Sequence, residues 1–158
     1  MNGMNLVVRQ CDTGRGVFAA ADLPAGADLL RYDGPRLRYD QTTPDTLAVQ
    51  VGPDLYLGAS GGPDDFVNHS CEPNAGLAIV GDDGSDVRLI ALRPIAAGEQ
   101  VTFDYSTTMD EDDFEFDCRC GAARCRGRMR DFKHLPAAAR RWYADRGVVP
   151  AYNLRYVG

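Results

Sequence analysis

Lysine is almost missing from this chain of 158 residues: Lys133 is the only one, and the other 16 of the 17 basic residues are arginine. Acids number 23, so the formal charge is −6. A net-acidic domain lacks the basic face that phosphate backbones attract, which argues against direct nucleic-acid binding and for a partner that is itself basic. Long apolar runs are absent too. No stretch approaches the roughly 18 apolar residues of a membrane span. Residues 1–10 hold neither a basic start followed by an apolar run nor a small-residue cleavage site. The expectation is no membrane contact and a cytoplasmic location, or a nuclear one in a eukaryote. Regular alternation of strand and helix is lacking as well, which removes a doubly wound nucleotide-binding sheet. The length suits one domain, since a domain holds roughly 100–200 residues, and it supports a core without obligatory staples.

Short strands punctuated by turns fill the first two thirds. Leu6–Val8 and Val17–Ala20 flank Asp12-Thr13-Gly14-Arg15-Gly16, and Asp28–Tyr32 follows the turn Leu23-Pro24-Ala25-Gly26. Residues 36–45 are polar, contain proline and read as a loop. Leu47–Val51 and Leu55–Leu57 form a hairpin across Gly52-Pro53-Asp54. A second hairpin joins Leu77–Val80 to Val87–Ala91 across Gly81-Asp82-Asp83-Gly84. Leu23, Gly26 and Leu29 are echoed by Ile95, Gly98 and Val101, which reads as two similar turns rather than a repeat array. Pro136 to Arg146 is the one clear helix, with proline at its start, alanines inside and Gly147 at its end.

Five cysteines are present, three of them crowded into Cys118-x-Cys120-x4-Cys125. In a reducing compartment that spacing favours a metal over disulfides. Structural zinc takes four ligands in a tetrahedron and favours thiolates. The fourth ligand must come from a distance, and Cys71, Cys11, His69 and His134 are the candidates. Cys71 is preferred for the fixed turn around it, with His134 as its main competitor. Cys11 otherwise reads as a buried small hydrophobe. Gly14-Arg15-Gly16 lacks the third glycine and the helix of a dinucleotide fingerprint. Ser70 beside His69 lacks a nucleophile elbow, which removes a serine hydrolase.

In combination these segments resemble the SET-domain protein-lysine methyltransferase family. Four blocks carry the likeness, in order: Gly14-Arg15-Gly16-Val17-Phe18-Ala19; Phe66-Val67-Asn68-His69-Ser70-Cys71-Glu72-Pro73-Asn74; Ile95 through Tyr105, ending Phe103-Asp104-Tyr105; and the cysteine cluster with its trailing Arg126-Gly127. The resemblance implies a mainly β fold of several small curved sheets with a knot-like crossing, a zinc-bound post-SET segment and a C-terminal helix. The expected organisation is a SET domain over residues 4–107, a post-SET acidic loop and zinc-binding segment over 108–132, and a C-terminal helix and tail over 133–158.

The family also implies an activity, the transfer of methyl groups from S-adenosylmethionine to a lysine amine of a protein. Gly14, Arg15, Gly16, Asn68, His69 and Tyr105 would contact the donor, with Tyr105 as the catalytic tyrosine. Phe103 would meter methylation and, as phenylalanine rather than tyrosine, leave room for di- or trimethylation. Tyr32 would line the lysine channel, or else be an ordinary core residue. Cys71 would complete a zinc site with Cys118, Cys120 and Cys125. The alternative is an inactive zinc-containing module that only binds a partner. Two departures stand out: Asp65 replaces an arginine common before the asparagine-histidine pair, and Gly58 replaces an aspartate. Met109 to Asp117 holds six acids among nine residues, a run suited to attracting a basic histone-like or ribosomal protein.

Overall fold

The computed structural model describes residues 5–158; the expected domain start at residue 4 and the first four residues of the segment read for a leader lie outside the described residues. Twelve strands and one α-helix are present among the described residues. The architecture is mainly β and divided into small sheets, as expected. The first sheet has the order β1-β2-β10-β7, made of Leu6–Cys11, Gly14–Ala19, Gln100–Phe103 and Asn68–His69. The β1–β2 turn is tighter than its glycines suggest. It needs only Asp12 and Thr13, and Gly14 and Gly16 lie within the strand.

A second sheet places β3 (Asp28–Arg31) and β8 (Ala75–Val80) on either side of β9 (Asp86–Ala91). Period-two alternation explains how it packs on both faces. Val87, Leu89 and Ala91 of β9 enter the main core, while Ile90 points the other way, into a second cluster built on Phe132, Leu135, Tyr143 and Val148. That second cluster seats α1 (Ala137–Asp145) and the tail against the sheet. A third sheet joins β4 (Arg36–Leu37), β6 (Leu55–Leu57) and β5 (Val49–Gly52). The segment expected to be loop therefore contributes a two-residue edge strand and two 3-10 turns, Tyr39–Gln41 and Pro44–Thr46. Strands β11 (Phe116–Asp117) and β12 (Arg128–Met129) pair across the cysteine cluster.

The echoed turns pair with each other. Leu23 and Ile95 exchange backbone hydrogen bonds of 2.8 and 2.9 Å. The crossing expected from the family lies at β7, which runs parallel to β10 with Asn68 opposite Thr102 and His69 opposite Phe103. Gly34 and Gly58 cross so closely that a Cβ on Gly34 would lie 1.6 Å from the Gly58 carbonyl oxygen, so the crossing requires glycine at 34. A Cβ on Gly58 would first meet the Leu37 and Pro35 side chains, at 3.0 and 3.4 Å, and nothing in the structure explains that departure. No helix among the described residues is long and apolar enough to cross a membrane.

Candidate active site and zinc centre

Because β7 lies beside β10, residues some 35 positions apart in sequence meet at the strand ends. Tyr105 follows β10. Its backbone N–H donates to His69 Nδ1 at 3.0 Å and its hydroxyl donates to the Val67 carbonyl at 2.6 Å. Burial pushes the Tyr105 hydroxyl up to about 12, so it stays protonated at neutral pH. The rings of Phe103 and Tyr105 lie 4.9 Å apart, and Tyr32 meets Phe103 edge-on at 6.3 Å. These three residues line a cavity of about 470 Å³. Tyr32 is 9% exposed, yet its hydroxyl has no hydrogen-bond partner among the described residues. It is at once a core residue and a wall of the cavity.

Asn68 faces the other way. Its side-chain amide donates to the Arg15 carbonyl at 2.9 Å and to Gln100 Oε1 at 2.8 Å, which ties β7 to β2 and to β10. Gly14, Arg15 and Asn68 line a second cavity of about 380 Å³, and Leu47 and Asp65 border both cavities. A Cβ on Gly16 would lie 2.4 Å from Gln100 Oε1, so this glycine makes room for the Asn68–Gln100 pair instead of lining the cavity. His69 lines neither cavity. With Nδ1 accepting from Tyr105, its Nε2 carries the proton and faces Cys71 Sγ at 3.5 Å. Cys11 corrects its expectation: it is partly exposed, 3.3 Å from Thr13 Oγ1 and 3.6 Å from the Asn68 amide, at the end of a strand rather than inside the core.

The four cysteines converge. The sulfurs of Cys71, Cys118, Cys120 and Cys125 all lie within 4.8 Å of one another, and those of Cys71 and Cys118 are 3.7 Å apart. A tetrahedral zinc with Zn–S bonds of about 2.3 Å requires sulfur separations of about 3.8 Å, so the set fits that ion. Backbone N–H groups already point at the sulfurs, from Cys71 to Cys120 and from Arg126 to Cys71, both at 3.4 Å. Burial pushes the Cys120 thiol up, but the backbone N–H groups of Cys71 and Ala122 and the neighbouring thiols of Cys125 and Cys118 outweigh it and hold the group down to about 7, so a thiolate is within reach at neutral pH. His134, the competing ligand, sits instead 3.2 Å from Asp112.

The composition gave no warning of one group. Asp104 is fully buried and accepts from both Arg126 guanidinium nitrogens at 2.9 Å, from Tyr143 Oη at 2.8 Å and from the Ser106 backbone at 3.0 Å. It links the strand before Tyr105 to the cysteine segment and to α1. Only the Arg126-Gly127 pair trailing the last cysteine hinted at it.

The SET domain model matches residues 14–106, more than half of the chain. The chain belongs to the SET-domain family. Human histone-lysine N-methyltransferase 2D is 30% identical over 126 residues, which cover 72% of this chain and 2% of that protein. The Drosophila melanogaster histone-lysine N-methyltransferase trr is 32% identical over 127 residues, 72% of this chain and 5% of that one. The SET-domain chain thus spans only 2% and 5% of the length of these two curated relatives. Among solved structures, KRYPTONITE in complex with mCHH DNA, H3(1-15) peptide and SAH matches with a TM-score of 0.64 and 26% identity, covering 79% of this chain and 29% of that one.

The acidic run of this SET-domain chain is largely neutralised from within. Asp110 meets Arg155 at 2.5 Å, Asp112 meets Lys133, Glu115 bridges Arg128 and Arg130 at 3.0 and 3.2 Å, and Asp117 meets Arg128 at 2.8 Å. Glu111 and Asp113 differ, because both line the larger cavity.

Proposed function

We propose that this chain transfers methyl groups from S-adenosylmethionine to the side-chain amine of lysine in a basic, histone-like protein, reaching the di- or trimethyl state. The observation that carries the reading is the pair of adjoining cavities. One is lined by Gly14, Arg15 and Asn68, the other by Tyr32, Phe103 and Tyr105, and they share Leu47 and Asp65 at their border. Relatives named as histone-lysine methyltransferases and a structural neighbour solved with SAH and an H3 peptide support it.

The bound donor would supply an electrophilic methyl on a sulfonium, and its transfer to an amine is an in-line displacement in which positioning does most of the catalysis. Gly14, Arg15 and Asn68 would hold the donor, and the aromatic trio would surround the amine. The amine must be neutral to attack; for lysine, with a pKa of about 10.4, that costs about 4–5 kcal/mol at pH 7. Tyr105 does not serve as the base. Burial keeps its proton on, and the proton is committed to Val67, so the hydroxyl offers only lone pairs with which to orient the amine. Proton loss to water before transfer fits that arrangement. Cys71, Cys118, Cys120 and Cys125 would hold a structural zinc that closes the post-SET segment over the site.

The test pairs calorimetric titration with SAH and mass spectrometry of methylated histone peptides. Tyr105→Phe should keep SAH affinity within about threefold and lose turnover by two orders of magnitude or more, within the range of a lost transition-state interaction. Full turnover in that variant, or no SAH binding by the parent, would overturn the reading and favour an inactive binding module.

A further inference from the structure

Charge is unevenly matched around the larger cavity. Four carboxylates line it, Asp64, Asp65, Glu111 and Asp113, and among the described residues no lysine, arginine or histidine does. Four members of the acidic run outside the cavity, Asp110, Asp112, Glu115 and Asp117, find cationic partners on the chain itself. Within the cavity the partners are neutral. Asp64 accepts from the Ser60 hydroxyl, Asp65 from the backbone N–H groups of Ser60 and Gly61 at 2.9 and 2.8 Å, and Glu111 from the Tyr56 hydroxyl. Burial, together with the neighbouring acids, raises the Asp64 and Glu111 carboxyls above their ordinary range. An independent observation points to a polar guest: the Tyr32 hydroxyl, nine-tenths buried on the cavity wall, has no hydrogen-bond partner among the described residues.

We infer that this cavity binds two cations of one peptide, the target lysine and a second positively charged side chain, arginine or lysine, a few residues away and read by Asp64, Glu111 and Asp113. The inference deepens the proposed function and rests on it for the identity of the first cation. The carboxylates sit on separate segments, Asp64 in the 3-10 turn Pro63–Phe66 and the other two beyond the Tyr105 turn. A peptide entering between them would carry positive charge past both walls. Asp65 takes a different part, since its two oxygens are used by the loop backbone and hold the wall in place. The departure from the family's arginine at this position also removes a cation that would have repelled such a peptide.

Binding is measured by fluorescence anisotropy with a labelled peptide carrying one lysine and one arginine two residues away, and with its glutamine-for-arginine counterpart. The protein is the full chain with zinc. The arginine peptide should bind about tenfold tighter at low salt, as expected for a few partly exposed ion pairs acting together, and the advantage should shrink at 0.5 M salt. The triple variant Asp64→Asn, Glu111→Gln, Asp113→Asn keeps the hydrogen-bond acceptors and should lose the discrimination, with circular dichroism checking its fold. Asp82→Asn, in the hairpin turn outside the cavity, should keep it. Should the triple variant unfold, Asp113→Asn alone, at an exposed residue that forms no ion pair among the described residues, should still reduce the preference by about twofold. Equal binding of both peptides by the parent, or undiminished discrimination in the variants, would overturn the inference. Because binding is read without turnover, absence of methylation after S-adenosylmethionine is added to the same samples would count against the proposed activity alone.

Discussion

Removing the guanidinium of Arg126 should destabilise this protein more than any single hydroxyl deletion around the site. Asp104 is wholly buried, and among the described residues Arg126 is the one permanently charged group that pairs with it, through two 2.9 Å hydrogen bonds. Arg126→Gln leaves a buried carboxylate uncompensated, a change that costs about 3–5 kcal/mol in buried pairs. Arg126 keeps 19% of its side chain exposed, so water can partly replace it and the lower end of that range applies. Tyr143→Phe removes one charge-assisted hydrogen bond of 2.8 Å and leaves the guanidinium in place; about 1.5–3 kcal/mol is expected. For a chain of this length each kcal/mol corresponds to about 2–4 °C in Tm, so Arg126→Gln should melt at least 6 °C or so below the parent. Urea unfolding followed through Trp142 fluorescence, at constant excess zinc because a bound ion shifts the equilibrium, provides the free energies. Combining Arg126→Gln with Asp104→Asn should cost less than the sum of the single changes, since neither leaves a lone charge. A loss below 1 kcal/mol for Arg126→Gln, or additivity in the double variant, would refute the view that Asp104 is held by a charge-paired anchor.

Three further outcomes follow from the site. Phe103→Tyr adds a hydroxyl between rings 4.9 and 6.3 Å away, and mass spectrometry should then find product arrested at monomethyl lysine, whereas the parent goes on to di- or trimethyl; a parent limited to monomethyl at saturation would contradict the role given to Phe103. The pH profile of kcat/KM reports free enzyme and free substrate. Burial raises Tyr105 to about 12, so it remains neutral below that value and its proton loss adds no descending limb; log kcat/KM should climb with a slope near one between pH 7 and 9 as lysine deprotonates, and a plateau reached by pH 8 would implicate another titrating group. Chelation should release one zinc per chain, measured with a metal-sensitive dye, and lower Tm markedly, because structural zinc contributes folding free energy directly; an unchanged Tm would mean that the thiol cluster stands without metal.

Local pattern was enough for some elements and silent for others. The β8–β9 hairpin and α1 are legible because β9 alternates over six positions and meets apolar β8 across a glycine-aspartate turn, and because Pro136 and Gly147 bracket an alanine-rich stretch. β7 is not: two residues carry no period, and their pairing with β10 depends on contacts 34 residues away in sequence. Only likeness to a family of known topology exposes it. The cysteines divide along the same line. Spacing alone brings Cys118, Cys120 and Cys125 together, but the fourth ligand lies 47 residues before Cys118 and spacing leaves it open.

Charge needed the structure most. Counting gives −6 and one dense acidic run, and from counting alone every member of that run is an equal candidate for attracting a basic partner. Distances separate them. Arginines 128, 130 and 155 and Lys133 take up Asp110, Asp112, Glu115 and Asp117, while Glu111 and Asp113 turn to the cavity and join Asp64 and Asp65 from a segment 46 residues away at its nearest. An electrostatic field that guides a cation depends on what remains unpaired near the point of entry, since exposed charges beyond a Debye length of about 8–10 Å are screened. Neutralising the paired acids should therefore alter peptide binding far less than neutralising the cavity acids, although the sequence places both sets within a single run.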